Sequence, residues 1–132
     1  MPILNVTLST APDAALSAKV AATLSQLTAS LLGKNPQVTA VAIAHVDPVH
    51  WFVAGRSLAD HGKASFFLDT RITDGTNTKD EKAAYVAAVF EKMGDLLGPI
   101  HEESYVHVHD VRGDAYGYGG RTQDYRYIAA KF

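Results

Sequence analysis

The chain contains no cysteine. That excludes a disulfide framework, a thiolate nucleophile and a zinc–thiolate centre. It also lacks an apolar run of the roughly twenty residues that a membrane-spanning helix needs. Basic charge is not in excess: the formal net charge is -2, whereas a nucleic-acid footprint calls for a clustered basic surface. The opening segment Met1-Pro2-Ile3-Leu4-Asn5-Val6 has no basic region, no long apolar stretch and no small-residue cleavage pattern, so it does not read as a signal peptide. A cytoplasmic location follows as the default, with neither nucleic acid nor membrane as partner. What is present is ordinary for a soluble globular protein: 132 residues, 47% hydrophobic and 20% charged. That length accommodates one domain, 1–132, with a genuine core.

Two helical patterns dominate. Leu16, Val20, Leu24, Leu27 and Leu31 recur at spacings of three or four, and so do Ala83, Val86, Phe90, Met93 and Leu97. Each series places an apolar stripe along one side of a helix. Pro12 and Asp13 suit the first turn of the first helix, and Thr78 with Glu81 forms a capping-box pattern before the second. Gly33 and Gly98 stand where helices commonly stop, and Pro99 blocks continuation. Strand-like segments flank both helices, at Ile3 to Leu8, Val38 to Ala44, Ser65 to Ile72 and Ser104 to Asp110. Strand, long helix and strand make a βαβ unit whose two strands run parallel.

The halves match residue by residue. Leu31-Leu32-Gly33 returns as Leu96-Leu97-Gly98, Val20-Ala21-Ala22 as Val86-Ala87-Ala88, Trp51 as Tyr116, and Gly55-Arg56 as Gly120-Arg121. Pseudo-repeats at about 1–60 and 61–132 follow. The predicted fold is α+β: a duplicated βαβ giving a four-stranded sheet with two helices on one face. The uncovered face carries Tyr105, His107 and His109, alternating with Val106 and Val108. An open face and unpaired edges invite copies of the same chain, so a symmetric oligomer is expected, and a ring of three suits a curved sheet.

Pro2 carries the chemical interest. Methionine before proline is readily removed, which leaves a secondary amine at the chain start. An α-amino group titrates nearer neutrality than lysine, and burial or a nearby cation lowers its pKa further. Such an amine is a competent general base at pH 7. Taken alone, a Met-Pro start reads better as the start of an edge strand, and it is the context that favours the base.

Met1-Pro2-Ile3, the duplicated βαβ pattern, Gly33-Lys34-Asn35-Pro36 and the stretch from Tyr105 to Tyr118 together resemble the tautomerase superfamily. That superfamily includes 4-oxalocrotonate tautomerase and macrophage migration inhibitory factor, and the length resembles its longer, fused members. Tyr105, His107, Asp110, Gly117 and Tyr118 fall on the migration-factor pattern. The resemblance implies a homotrimer with sites at subunit boundaries and a cofactor-independent tautomerase acting on a small enol or keto acid. Pro2 would be the acid/base, and Lys34 beside it would bind the substrate carboxylate. Tyr105 would donate to the enolate oxygen, and Tyr105 and His107 would come from a neighbouring subunit. Tyr116 and Tyr118 would shape the mouth. Arg71 would be a second carboxylate clamp, although it reads equally well as a surface arginine at a strand end.

Two rival functions remain open. In a hydratase, dehalogenase or decarboxylase a cationic Pro2 would protonate the substrate, and related enzymes need a carboxylate near the proline. This chain has Gln37-Val38 where some of them place it, with Asp110 and Asp114 as substitutes. The other rival is a non-catalytic binding or signalling protein on the same scaffold. His107 and His109 have no third metal ligand at a persuasive spacing, so no metal and no cofactor are expected. The run Tyr116-Gly117-Tyr118-Gly119-Gly120 lacks the ending of a phosphate loop, precedes no helical pattern, and reads as a tight aromatic turn.

Overall fold

Alternating buried and open residues in two adjacent segments build the centre of the sheet. The computed structural model describes residues 2–132. In chain order the elements are β1 (Ile3–Leu8), α1 (Ala14–Leu32), β2 (Ala40–His45), β3 (Phe52–Val53), β4 (Arg56–Ser57), α2 (Leu58–His61), β5 (Phe66–Thr73), α3 (Lys79–Leu97), β6 (Tyr105–Val111), β7 (Gly117–Tyr118), β8 (Arg121–Thr122) and α4 (Gln123–Lys131). The main sheet runs β2-β1-β5-β6. Its outer pairs are parallel, β1 with β2 and β5 with β6, and the central pair β1–β5 is antiparallel. This is the α+β arrangement expected of a doubled βαβ unit.

From the long helices onward, corresponding elements recur at an offset of 65 residues (79 minus 14 for the helix starts), and the strands before them, β1 and β5, at 63 (66 minus 3). The 65-residue offset separates the starts of β2 and β6, of β3 and β7, of β4 and β8, and of α2 and α4. The fold is thus written twice, down to its short hairpins.

One face of the sheet is closed by α1 and α3. Leu4, Val6, Leu8, Phe66, Leu68 and Ile72 from β1 and β5 meet Val20, Leu24 and Leu32 of α1 and Val89 and Met93 of α3. Asp13 caps α1 by accepting from the backbone N–H groups of Ala15 and Leu16, and Pro12 lies just outside the helix. Thr78 and Glu81 form the reciprocal capping box of α3. Gly33 ends α1 with φ 69, a left-handed geometry that favours glycine.

The buried stripe of α3 differs from the expected one. Its buried residues are Tyr85, Val89 and Met93, whereas Val86 and Phe90 are exposed. The reason is polar as well as apolar. The Tyr85 hydroxyl lies 3.0 Å from the hydroxyls of both Thr28 and Thr70, so burial leaves it with two partners.

The opposite face is open. Tyr105 and Phe67 are exposed there, and the rings of His107 and His109 stack at 5.6 Å. Among the described residues no helix is long and apolar enough to cross a membrane.

Candidate active site

Pro2 immediately precedes β1 and is buried. Its carbonyl accepts from the Ala40 N–H at 3.3 Å, which ties the chain start to β2. Met1 lies outside the described residues, and with it the expected release of the Pro2 nitrogen. Around Pro2 the loop between α1 and β2 and the β7–β8 hairpin enclose a cavity of about 550 Å³. Its walls include Gln37, Val38, Thr39, Tyr116, Tyr118 and Gln123.

The local sequence explains both walls. Asn35 accepts from the Gln37 N–H at 2.9 Å and caps a 3-10 turn at Pro36–Val38, which turns the chain over Pro2. On the other side, Gly119 and Gly120 both have positive φ, the requirement of a two-residue hairpin turn. A side chain at Gly117 would put a Cβ 1.8 Å from the Arg121 carbonyl oxygen, so the hairpin closes only over glycine. The Tyr116 hydroxyl bonds the Thr73 hydroxyl at 2.9 Å, and the Arg126 guanidinium stacks 3.8 Å above the Tyr118 ring. Burial pushes the Tyr116 phenol above its ordinary pKa, with the Thr73 hydrogen bond working the other way.

Of the residues singled out from sequence, Pro2, Tyr116 and Tyr118 meet in this one cavity. Lys34 does not line it. Its ammonium donates to Thr76 Oγ1 at 2.8 Å in a neighbouring cavity of about 640 Å³. The left-handed turn at Gly33 sends the lysine towards the β5–α3 connection. Burial there lowers the Lys34 pKa, opposed by the charges of Glu81 and Asp110.

Arg71 lies on the open face, paired in register with Ile3 and His109, and its guanidinium is 3.5 Å from Asp69. Its strand partner Ile3 lines the Pro2 cavity, but Arg71 itself does not. Tyr105 and His107 share that open face, and the Tyr105 hydroxyl donates to the Glu103 carboxylate. That hydrogen bond, together with the Glu103 charge, raises the Tyr105 pKa.

The substitute carboxylates are engaged elsewhere. Asp110 pairs with Lys82 at 2.5 Å, and Asp114 with Arg112 at 2.8 Å. Sequence reasoning noted Gln37 only as standing where related enzymes place a carboxylate, and passed over Gln123; both are wall residues. It also passed over α4, which begins directly after the glycine-rich hairpin: contrary to expectation, a helix does follow that run. Thr122 caps α4 by accepting from the Tyr125 N–H at 3.0 Å, a signal that was available.

A family model described as tautomerase enzyme matches residues 2–61. No curated protein matches the chain. Among solved structures, native fused 4-OT is 26% identical, with 93% of this chain and 97% of that one covered and a TM-score of 0.80. A fused 4-OT described as a symmetric trimer is 20% identical over 92% and 96%, TM-score 0.80. A member of the cis-3-chloroacrylic acid dehalogenase family, N1, is 21% identical over 96% and 90%, TM-score 0.77. The doubled fold, the tautomerase family model matched over residues 2–61 and the likeness to native fused 4-OT along nearly the whole length support a tautomerase superfamily member with a fused, duplicated fold.

Proposed function

We propose that the protein is a tautomerase interconverting enol and keto forms of a small carboxylate-bearing acid, with Pro2, freed by removal of Met1, as general base and acid. The observation that carries this reading is the burial of Pro2 in a cavity walled mainly by aromatic, aliphatic and amide groups. Such surroundings disfavour an ammonium ion, so the amine is held neutral and able to take a proton. Neutral Pro2 removes the proton from carbon beside the substrate carbonyl. Protonated Pro2 then returns it to a different atom.

The developing enolate needs positive potential or donors nearby. Tyr116 and Tyr118 stand at the cavity, and Lys34 lies one cavity away. Tyr105, His107 and Arg71 complete the site in this proposal from a second copy packed on the open face. The proposal assigns that contact to a homotrimer, and a fused 4-OT relative is a symmetric trimer.

The rival chemistry with a cationic Pro2 requires a carboxylate to activate water. The cavity wall has Gln37 in the position where one would be useful, and no aspartate or glutamate lines it among the described residues. That favours the base.

The test is Pro2→Ala with phenylpyruvate and 2-hydroxymuconate as substrates, after intact-mass spectrometry has established that Met1 is absent. The variant is expected to keep its oligomeric state and lose at least a hundredfold in kcat, the scale of a general base. Undiminished turnover would refute the assignment.

A further inference from the structure

Gln123 begins α4, and only 7% of its surface is exposed. It forms part of the wall of both the Pro2 cavity and the Lys34 cavity. Its side-chain nitrogen Nε2 is shut off from solvent and has no hydrogen-bond partner. A buried amide donor without a partner is costly, and the great majority of such groups are satisfied.

The duplicated fold supplies an internal control. The residue 65 positions earlier is Leu58, which begins α2 as Gln123 begins α4. The Leu58 N–H donates to the Trp51 carbonyl at 2.8 Å, and the Gln123 N–H donates to the Tyr116 carbonyl at 3.0 Å. Ser57 and Thr122 cap the two helices in the same way. Leu58 is 1% exposed, so at this point of the fold a hydrocarbon side chain serves packing fully. The backbone role is identical in the two halves, and only the half facing Pro2 carries an amide. Packing does not account for that choice.

We infer that Gln123 is a substrate-binding, specificity-determining residue: its carboxamide Nε2 is the donor that engages a carboxylate or carbonyl oxygen of a small 2-oxo acid in the Pro2 cavity. This inference rests on reading that cavity as the substrate site. In the ligand-free chain the donor is packed away from solvent between two cavities; a turn of the carboxamide about its side-chain torsions brings it to a bound oxyanion, which supplies its missing acceptor. A hydrogen bond to a charged oxygen is stronger than one between neutral groups, so its loss is felt chiefly as weaker binding.

The experiment compares wild type, Gln123→Leu and Pro2→Ala as full chains. Phenylpyruvate serves for turnover, and its dissociation constant is followed through NMR shifts of the amide signals. Gln123→Leu is expected to raise KM and the dissociation constant about tenfold or more, with kcat changed less than threefold. Its urea midpoint should be unchanged or higher, because the residue of the mirror position replaces an unpartnered amide. Unchanged phenylpyruvate affinity in Gln123→Leu, a lowered urea midpoint with unchanged affinity, or failure of the wild-type chain to bind phenylpyruvate saturably each overturns the inference. Turnover surviving Pro2→Ala condemns the proline assignment instead, and the binding comparison then still decides the role of Gln123.

Discussion

Replacing Tyr85 by Phe tests how the core of this fold is held, and the direction of each hydrogen bond fixes the expected result. Thr28 Oγ1 donates its only proton to the Leu24 carbonyl at 2.7 Å. Towards Tyr85 it can therefore only accept, so the phenol donates to Thr28 at 3.0 Å. The phenol oxygen in turn accepts from Thr70 at 3.0 Å. The relay runs from β5 through α3 to α1, and all three side chains are buried.

Tyr85→Phe orphans the Thr70 proton and removes the incoming donor of Thr28, at a cost of about 2 kcal/mol. Thr70→Val leaves Tyr85 still donating to Thr28, and costs about 1 kcal/mol or less. The double variant, with the orphan removed, is expected to be more stable than Tyr85→Phe alone. Urea unfolding at one fixed protein concentration measures this. With a slope of about 1–3 kcal/mol per molar urea, Tyr85→Phe shifts the midpoint by roughly 1 M. Equal losses in the two single variants, or a double variant that is the least stable, would refute the assigned directions.

Two further outcomes concern charge. Glu81 is held below the ordinary carboxyl value of 4.5, first by the Thr78 backbone N–H. Its stabilising effect is complete above that value and is lost as pH falls through the lower folded one; Glu81→Gln should abolish this part of the acid dependence of the urea midpoint. Lys34, its pKa lowered by burial, loses its charge as pH rises sooner than a free lysine. If it steers the substrate carboxylate, kcat/KM falls on the alkaline side through that lowered value, and Lys34→Met removes the alkaline limb from the pH–rate profile.

Long, regular patterns were legible in the sequence. Apolar spacing and alternation placed α1, α3 and the four long strands within a residue or two, because burial of one face imposes those periods, although the stripe read for α3 was not the one the core buries. The repeat was legible for the same reason. The short elements were not. β7 and β8 have two residues each, and α4 leaves Tyr125, Tyr127 and Ile128 exposed, so neither shows a buried stripe.

Of the residues singled out for the site, the fold gathers Pro2, Tyr116 and Tyr118 around one cavity. Lys34 shows the limit of position alone: sequence put it beside the proline, but its side chain turns to Thr76. Gln37 was noted only as standing where related enzymes place a carboxylate, and Gln123 gave no signal as an isolated glutamine. Comparison of Gln123 with Leu58 across the repeat would have supplied one.

The central claim is settled most directly by titrating the Pro2 nitrogen by nitrogen-15 NMR in chain shown by mass to lack Met1. The account predicts a pKa clearly below the ordinary α-amino range of about 7.7–8.0. A value within or above that range, or a nitrogen still acylated by Met1, would contradict it.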